Sequence, residues 1–182
     1  VCEALLHAGV ALDTHVEIQW VNTEDITPDN VAEVLGDVAG IVVPGGYGDR
    51  GIEGKIACCR YARENRVPSQ QLCLGLQCAV IEFARNAAGL AGAHSAEFDP
   101  ETPHPVIHIM DTQVGIEDKG GTQRLGLYPC QLTPGTKARS AYGEALVHER
   151  HRHRYEVNNA YREALGEKGM VFCGLSPDGQ LV

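Results

Sequence analysis

No apolar run in the 182 residues approaches the ~20 that a membrane-crossing helix needs. A transmembrane helix is therefore not expected in this stretch. The chain opens on Val1-Cys2-Glu3-Ala4, with no initiator methionine and no charged-then-apolar layout of a secretion signal. It reads as a chain entered part-way along. Positive charge is scarce, since 15 Lys and Arg face 24 Asp and Glu for a formal net charge of −9. Phosphate backbones and anionic lipid surfaces call for clustered positive charge, so a general nucleic-acid or membrane-surface role is disfavoured. The seven cysteines are odd in number, scattered, and include no C-x-x-C pair. That argues against a disulfide framework or a structural zinc site and makes a reducing cytoplasm the simplest setting. No internal repeat or low-complexity segment is present.

What remains is ordinary for one globular domain with a buried core: 43% hydrophobic and 21% charged residues. Cys2, Leu5 and Leu6 fall at helical spacing, with Gly9 as a stop. Val16-Glu17-Ile18-Gln19-Trp20 alternates as a half-buried strand does. Thr27-Pro28-Asp29 opens a helix through Leu35. Ile41-Val42-Val43 is short, β-branched and wholly apolar, as in a buried parallel strand, and runs into Pro44-Gly45-Gly46. Helical patterns follow from Glu53 to Asn65 and from Gly75 to Asn86, the second placing Leu76, Val80, Phe83 and Ala84 on one face. This order implies an α/β sheet with crossover helices. The second half is richer in short strands: Val106 to Met110, a stretch around Leu125, and Met170 to Leu175. Ser176-Pro177-Asp178-Gly179 is a turn signal, and Leu181-Val182 reads as the start of a return strand.

Three features carry chemistry. Cys73 stands where a strand meets a helix N-terminus, whose dipole favours thiolate over thiol. Gly75 is small enough to let strand and helix approach closely there. The alternative is a cysteine serving as a small buried hydrophobe. The Gly45-Gly46-Tyr47-Gly48 loop is suited to aiming backbone N–H groups at an oxyanion, or it is a plain tight turn. Glu149-Arg150-His151-Arg152-His153-Arg154-Tyr155, if extended, sets Arg150, Arg152 and Arg154 on one side and the two histidines on the other. Arg154 would then suit a carboxylate through two parallel N–H bonds. A solvated basic strand and a metal site are the rival readings. The metal is the weaker, because alternating histidines without a nearby Cys or Asp make a poor cage.

Taken with their surroundings, these segments resemble the glutamine amidotransferase domains of the CTP synthase family. Val43 to Ile56 is similar to that family's oxyanion loop and following helix, and Cys73-Leu74-Gly75-Leu76-Gln77 matches its C-L-G-M/L-Q motif. Ala79 to Arg85 resembles A-V-I-E-F-A-R, Ser95 to Phe98 resembles S-x-E-F, and Gly120 to Gly126 resembles G-G-T-M-R-L-G. Glu149 to Asn158 matches E-R-H-R-H-R-Y-E-V-N. Other glutamine amidotransferases share P-G-G and C-x-G-x-Q but not that last segment, which argues against a glutaminase of another pathway such as GMP synthesis.

The resemblance implies a class I glutamine amidotransferase-like α/β domain over residues 1–182: a central, mainly parallel sheet flanked by helices, with a small antiparallel region in the second half. It is expected to be incomplete at both ends, with the synthetase domain absent. Cys73 would attack the side-chain amide of L-glutamine and form a γ-glutamyl thioester. The N–H groups of Gly46 and Leu74 would form the oxyanion hole, and Gln77, Glu97, Arg154 and Tyr155 would line the substrate site. No cofactor or metal is expected in this domain. ATP and Mg belong to the synthetase domain, which would use the released ammonia to aminate UTP within a homo-tetramer. Three departures stand out. Gln71 replaces a glycine two residues before the nucleophile and is expected to crowd the elbow. Gln123 replaces a methionine. The family's general base is a His in an H-P-E motif, and none of the eight histidines lies in one. The alternative from another class is an amidotransferase-like module that binds or assembles without hydrolysis.

Overall fold

A computed structural model of the chain describes residues 1–110 and 124–182. Gly120 to Gln123, part of the glycine-rich segment noted above, lie outside the described residues. The chain divides into two compact units, Val1–Gly75 and Leu76–Val182, each described by itself. Among the described residues no helix is long and apolar enough to cross a membrane.

The first unit is built around one βαβ crossover. β1 (Ile41–Val43) and β2 (Ser69–Gln71) pair in parallel, Ile41 opposite Ser69 and Val43 opposite Gln71. Helix α3 (Ile52–Asn65) connects them and buries Ile52, Ile56, Ala57, Cys58, Cys59 and Ala62. Gly54 is forced: a Cβ there would fall 1.8 Å from the Thr23 carbonyl oxygen. Lys55 Nζ donates to Thr23 Oγ1 at 3.4 Å and to the Arg50 carbonyl at 3.0 Å. Two helices precede the crossover, α1 (Cys2–Ala11) and α2 (Val31–Leu35). The latter is entered through reciprocal bonds in which Thr27 N–H donates to Asn30 Oδ1 and Asn30 N–H donates to Thr27 Oγ1.

Several expectations fail here for identifiable reasons. Gly9 does not end α1. It is buried inside the helix, where the returning chain at Thr14 and Val16 leaves no room for a side chain. Val16 to Trp20 is not a strand, and Trp20 is 82% exposed. Alternation describes side-chain faces only, and no described strand lies alongside to complete a ladder.

The second unit holds the rest of helix α4 (Leu74–Asn86), which buries Gln77, Cys78, Val80, Ile81 and Ala84. The buried stripe is turned from the expected one: Leu76 is exposed and Phe83 only half-buried. β3 (His94–Ser95), β4 (Pro105–Ile109) and β7 (Tyr155–Val157) form one sheet, parallel for β3–β4 and antiparallel for β4–β7. Val106, Ile107 and Val157 are buried in it. β5 (Arg124–Leu132), β6 (Leu146–His153) and β8 (Gly174–Leu175) form a second, antiparallel sheet in the order β6-β5-β8. The strand expected over Met170 to Leu175 is only its last two residues, and Leu181-Val182 is irregular. Helices α5 (Lys137–Tyr142) and α6 (Arg162–Glu167) and a 3₁₀ turn at Asn159–Tyr161 complete the unit.

Candidate functional site: a cysteine elbow and a buried amide–arginine group

Leu72 and Cys73 alone separate the end of β2 from the start of α4. Leu72 N–H donates to the Val43 carbonyl at 2.9 Å and still follows the ladder. Cys73 then takes φ +55, a left-handed conformation that costs a non-glycine residue about 1–3 kcal/mol and is held only where the surroundings impose it. Here they do. A Cβ on Gly75 would fall 2.1 Å from the Val43 carbonyl oxygen, so the helix start lies directly on the end of β1.

The glycine loop lies against the cysteine. A Cβ on Gly45 would stand 2.9 Å from Cys73 Cβ and 3.4 Å from its Sγ, and one on Gly46 would stand 3.5 Å from a Leu74 methyl. Gly46, Cys73 and Leu74, expected to act together, are thus neighbours within the first unit. Leu74 opens α4, so its N–H is one of those with no intrahelical acceptor, and the positive end of the helix favours anionic sulfur. Cys58 provides the contrast. It is buried in α3, and burial pushes its thiol pKa up, with Lys55 offsetting this only in part.

Gln71 does not crowd the elbow. Its amide turns back along β2 and donates to Ser69 Oγ at 2.9 Å, two residues apart on one face of the strand. The polar Ser69-Gln70-Gln71 run is tolerated because Ser69 and Gln70 are exposed and Gln71 is half-exposed.

In the second unit, Gln77 lies in the first turn of α4 and is 9% exposed. Its Nε2 donates to the Tyr155 carbonyl at 3.1 Å. Its Oε1 is buried without a hydrogen-bond partner among the described residues, and so is Nε of Arg154. Buried polar atoms of this kind are costly unless something meets them, and here an acceptor and a charged donor flank one backbone bond. Glu97 lies just after β3, exposed, its N–H donating to the buried Ser95 Oγ at 3.2 Å.

The basic strand alternates as expected through His153, with Arg150 and Arg152 exposed and the His151 and His153 rings 5.4 Å apart edge to face. Arg154 departs from that pattern. β6 ends at His153 and the chain bends at Arg154 into β7, a strand of the other sheet. The bend turns Arg154 off the solvent face of its sequence neighbours and buries its Nε. It also brings in Glu156, which no sequence motif marks as a site residue. Its Oε1 lies 3.3 Å from His153 Nδ1. The only signal was a carboxylate three residues past the second histidine.

A strained cysteine between strand and helix, backed by a glycine loop, defines a class. The model of the glutamine amidotransferase class-I family matches residues 1–182, and the chain belongs to that family. Among curated proteins it is 62% identical over its whole length to a CTP synthase of Geobacillus kaustophilus and 60% identical to one of Halalkalibacterium halodurans. It spans 34% of the length of each. Among solved structures it is similar to the glutaminase domain of Trypanosoma brucei CTPS with bound acivicin. The two share a TM-score of 0.89 and 36% identity, over 96% of this chain and 67% of that one.

Proposed function

We propose that this chain is the glutamine-hydrolysing domain of a CTP synthase. The observation that carries the reading is Cys73 at φ +55, immediately before the N-terminus of α4 and against Gly45. The Cys73 thiolate attacks the side-chain amide carbon of L-glutamine. The tetrahedral oxyanion is received by the N–H groups of Gly46 and Leu74. Ammonia leaves, and water then hydrolyses the γ-glutamyl thioester to glutamate. Gln77 and Glu97 hold the amino-acid end of the substrate, Glu97 through its ammonium, while Arg154 takes its carboxylate and Tyr155 flanks it. Gln77 Oε1 and Arg154 Nε, both buried without hydrogen-bond partners among the described residues, fit such a polar ligand. The solved relative that binds acivicin, a glutamine analogue, supports the same substrate class.

In the whole protein the ammonia passes to a synthetase domain, where ATP and Mg support amination of UTP to CTP, in a cytoplasmic homo-tetramer. The glutaminase domain itself uses no cofactor.

The reading is tested by reacting the protein with an electrophilic glutamine analogue and mapping the labelled peptide. Cys73 is expected to be modified first, ahead of the buried Cys58, Cys59 and Cys78. Cys73→Ala is expected to abolish ammonia release from glutamine in the full-length protein. Labelling of another cysteine first, or ammonia release that survives the substitution, overturns the assignment.

A further inference from the structure

The bend that buries Arg154 also assembles a group of three metal-binding side chains. His151, His153 and Glu156 each offer one ligand atom, and these atoms all lie within 4.8 Å of one another. We infer that His151, His153 and Glu156 form a site for a late first-row divalent cation of the zinc class. Two ligands at about 2.0–2.1 Å from a tetrahedral ion stand about 3.3 Å apart. His153 Nδ1 and Glu156 Oε1 are already at 3.3 Å, the edge that such an ion requires. The third ligand atom, from His151, lies within 4.8 Å of both.

The surroundings suit a built site more than a chance surface pair. Glu156 is 6% exposed, so an ion held by its carboxylate would be little screened by solvent. The Nδ1 atoms of both histidines are shielded from solvent. The two rings stand edge to face at 5.4 Å, and Tyr128 of β5 packs edge to face on His151 at 5.8 Å, which fixes the ring orientation. Directly across from His151 on β5 is Gly126, which adds no side chain to that face of the strand. Two imidazoles and one carboxylate are the donor set of an open zinc site. They suit zinc, cobalt or nickel better than magnesium, which prefers all-oxygen coordination. Alternating histidines alone looked like a poor cage. The buried carboxylate, brought in by the bend, is what changes that.

Binding requires neutral imidazoles and releases protons, so it weakens as pH falls. The site does not depend on the glutaminase reading and is tested without it. Zn2+ is titrated calorimetrically into the full-length protein, freed of metal beforehand, and into the variants His151→Ala, Glu156→Gln and His148→Ala. One ion per chain is expected at this site. Losing a ligand is expected to weaken it by about 100-fold or more, the upper end of what even an outer-shell change costs. His148 is exposed on the opposite face of β6, and its variant is expected to bind as the parent does. Equal affinity in all four proteins would show adventitious binding by exposed histidines and overturn the inference, as would no binding at all. Should a variant fail to fold, the parent protein with Co2+ alone decides. Intense visible bands of a four-coordinate ion support the site, and the pale spectrum of the hydrated ion refutes it.

Discussion

The backbone of Gly75 touches the Val43 carbonyl oxygen so closely that an added Cβ would fall 2.1 Å from it. Neither partner is a flexible side chain able to move aside, so Gly75→Ala must displace the helix start from β1. Overpacking of this kind costs about 1–3 kcal/mol, occasionally more. Gly166 supplies the control. It lies in α6, has no atom of the described residues within 4 Å of its would-be Cβ, and as a helical Gly→Ala change is expected to stabilise by about 0.5–1 kcal/mol. Urea denaturation should move the two midpoints in opposite directions, and a fall of equal size in both would refute the close-approach argument.

That contact was legible in the sequence, because a glycine two residues after a cysteine at a strand–helix junction has few other uses. β1, α3 and α4 were legible too, since their apolar spacing and flanking turns are local signals. The phase of α4 was not: which stripe is buried depends on what the helix packs against, and Leu76 is exposed while Ile81 is buried. Val16 to Trp20 had the alternation of a strand but no partner strand. Arg154 was expected in line with Arg150 and Arg152. Its position instead follows from β7 pairing with β4, Ile109 opposite Tyr155, a long-range pairing that no local pattern announces. The same bend hid the approach of Glu156 to the histidines.

Arg154 and Arg150 therefore should not behave alike. Arg150 is exposed on β6 opposite Leu127, whereas Nε of Arg154 is buried and has no hydrogen-bond partner among the described residues. Arg154→Ala is expected to weaken glutamine binding by about 2 kcal/mol or more, since a charge-assisted bond to the substrate carboxylate is lost. That is about 30-fold in Kd. Arg150→Ala is expected to change it little. Calorimetric titration of glutamine into a Cys73→Ala background avoids turnover, and equal losses in the two variants would sink the division of roles.

Tyr142, at the end of α5, donates its hydroxyl proton to Glu149 on β6. The hydrogen bond to that carboxylate, helped by partial burial and by the negative charge itself, pushes its pKa up to about 12. The folded state thus holds the proton more tightly than the unfolded chain, whose tyrosine titrates near 10. The contribution is fully present below about pH 10 and is lost as pH rises toward 12. Thermal melts of the parent and of Tyr142→Phe should accordingly differ at neutral pH and converge across that window. A gap that stays constant from pH 9 to about 12 would show that the carboxylate contact does not set the shift.

Cys73 needs a group that takes its proton and returns one to the departing ammonia, and the helix dipole replaces neither role. General acid–base help of this kind is typically worth about 10²–10⁴-fold. In the family that the chain resembles, the base belongs to an H-P-E segment, and none of the eight histidines among residues 1–182 lies in one. Residues 1–182 alone are therefore expected to be acylated slowly at Cys73 and to turn glutamine over poorly. The same residues continued through an H-P-E segment are expected to release ammonia faster by about that factor, with a pH dependence set by the added histidine. Ammonia release from the two proteins at equal concentration measures the difference. Equal rates would place the base within residues 1–182, and His151 and His153, which immediately precede Arg154, would be the first to substitute.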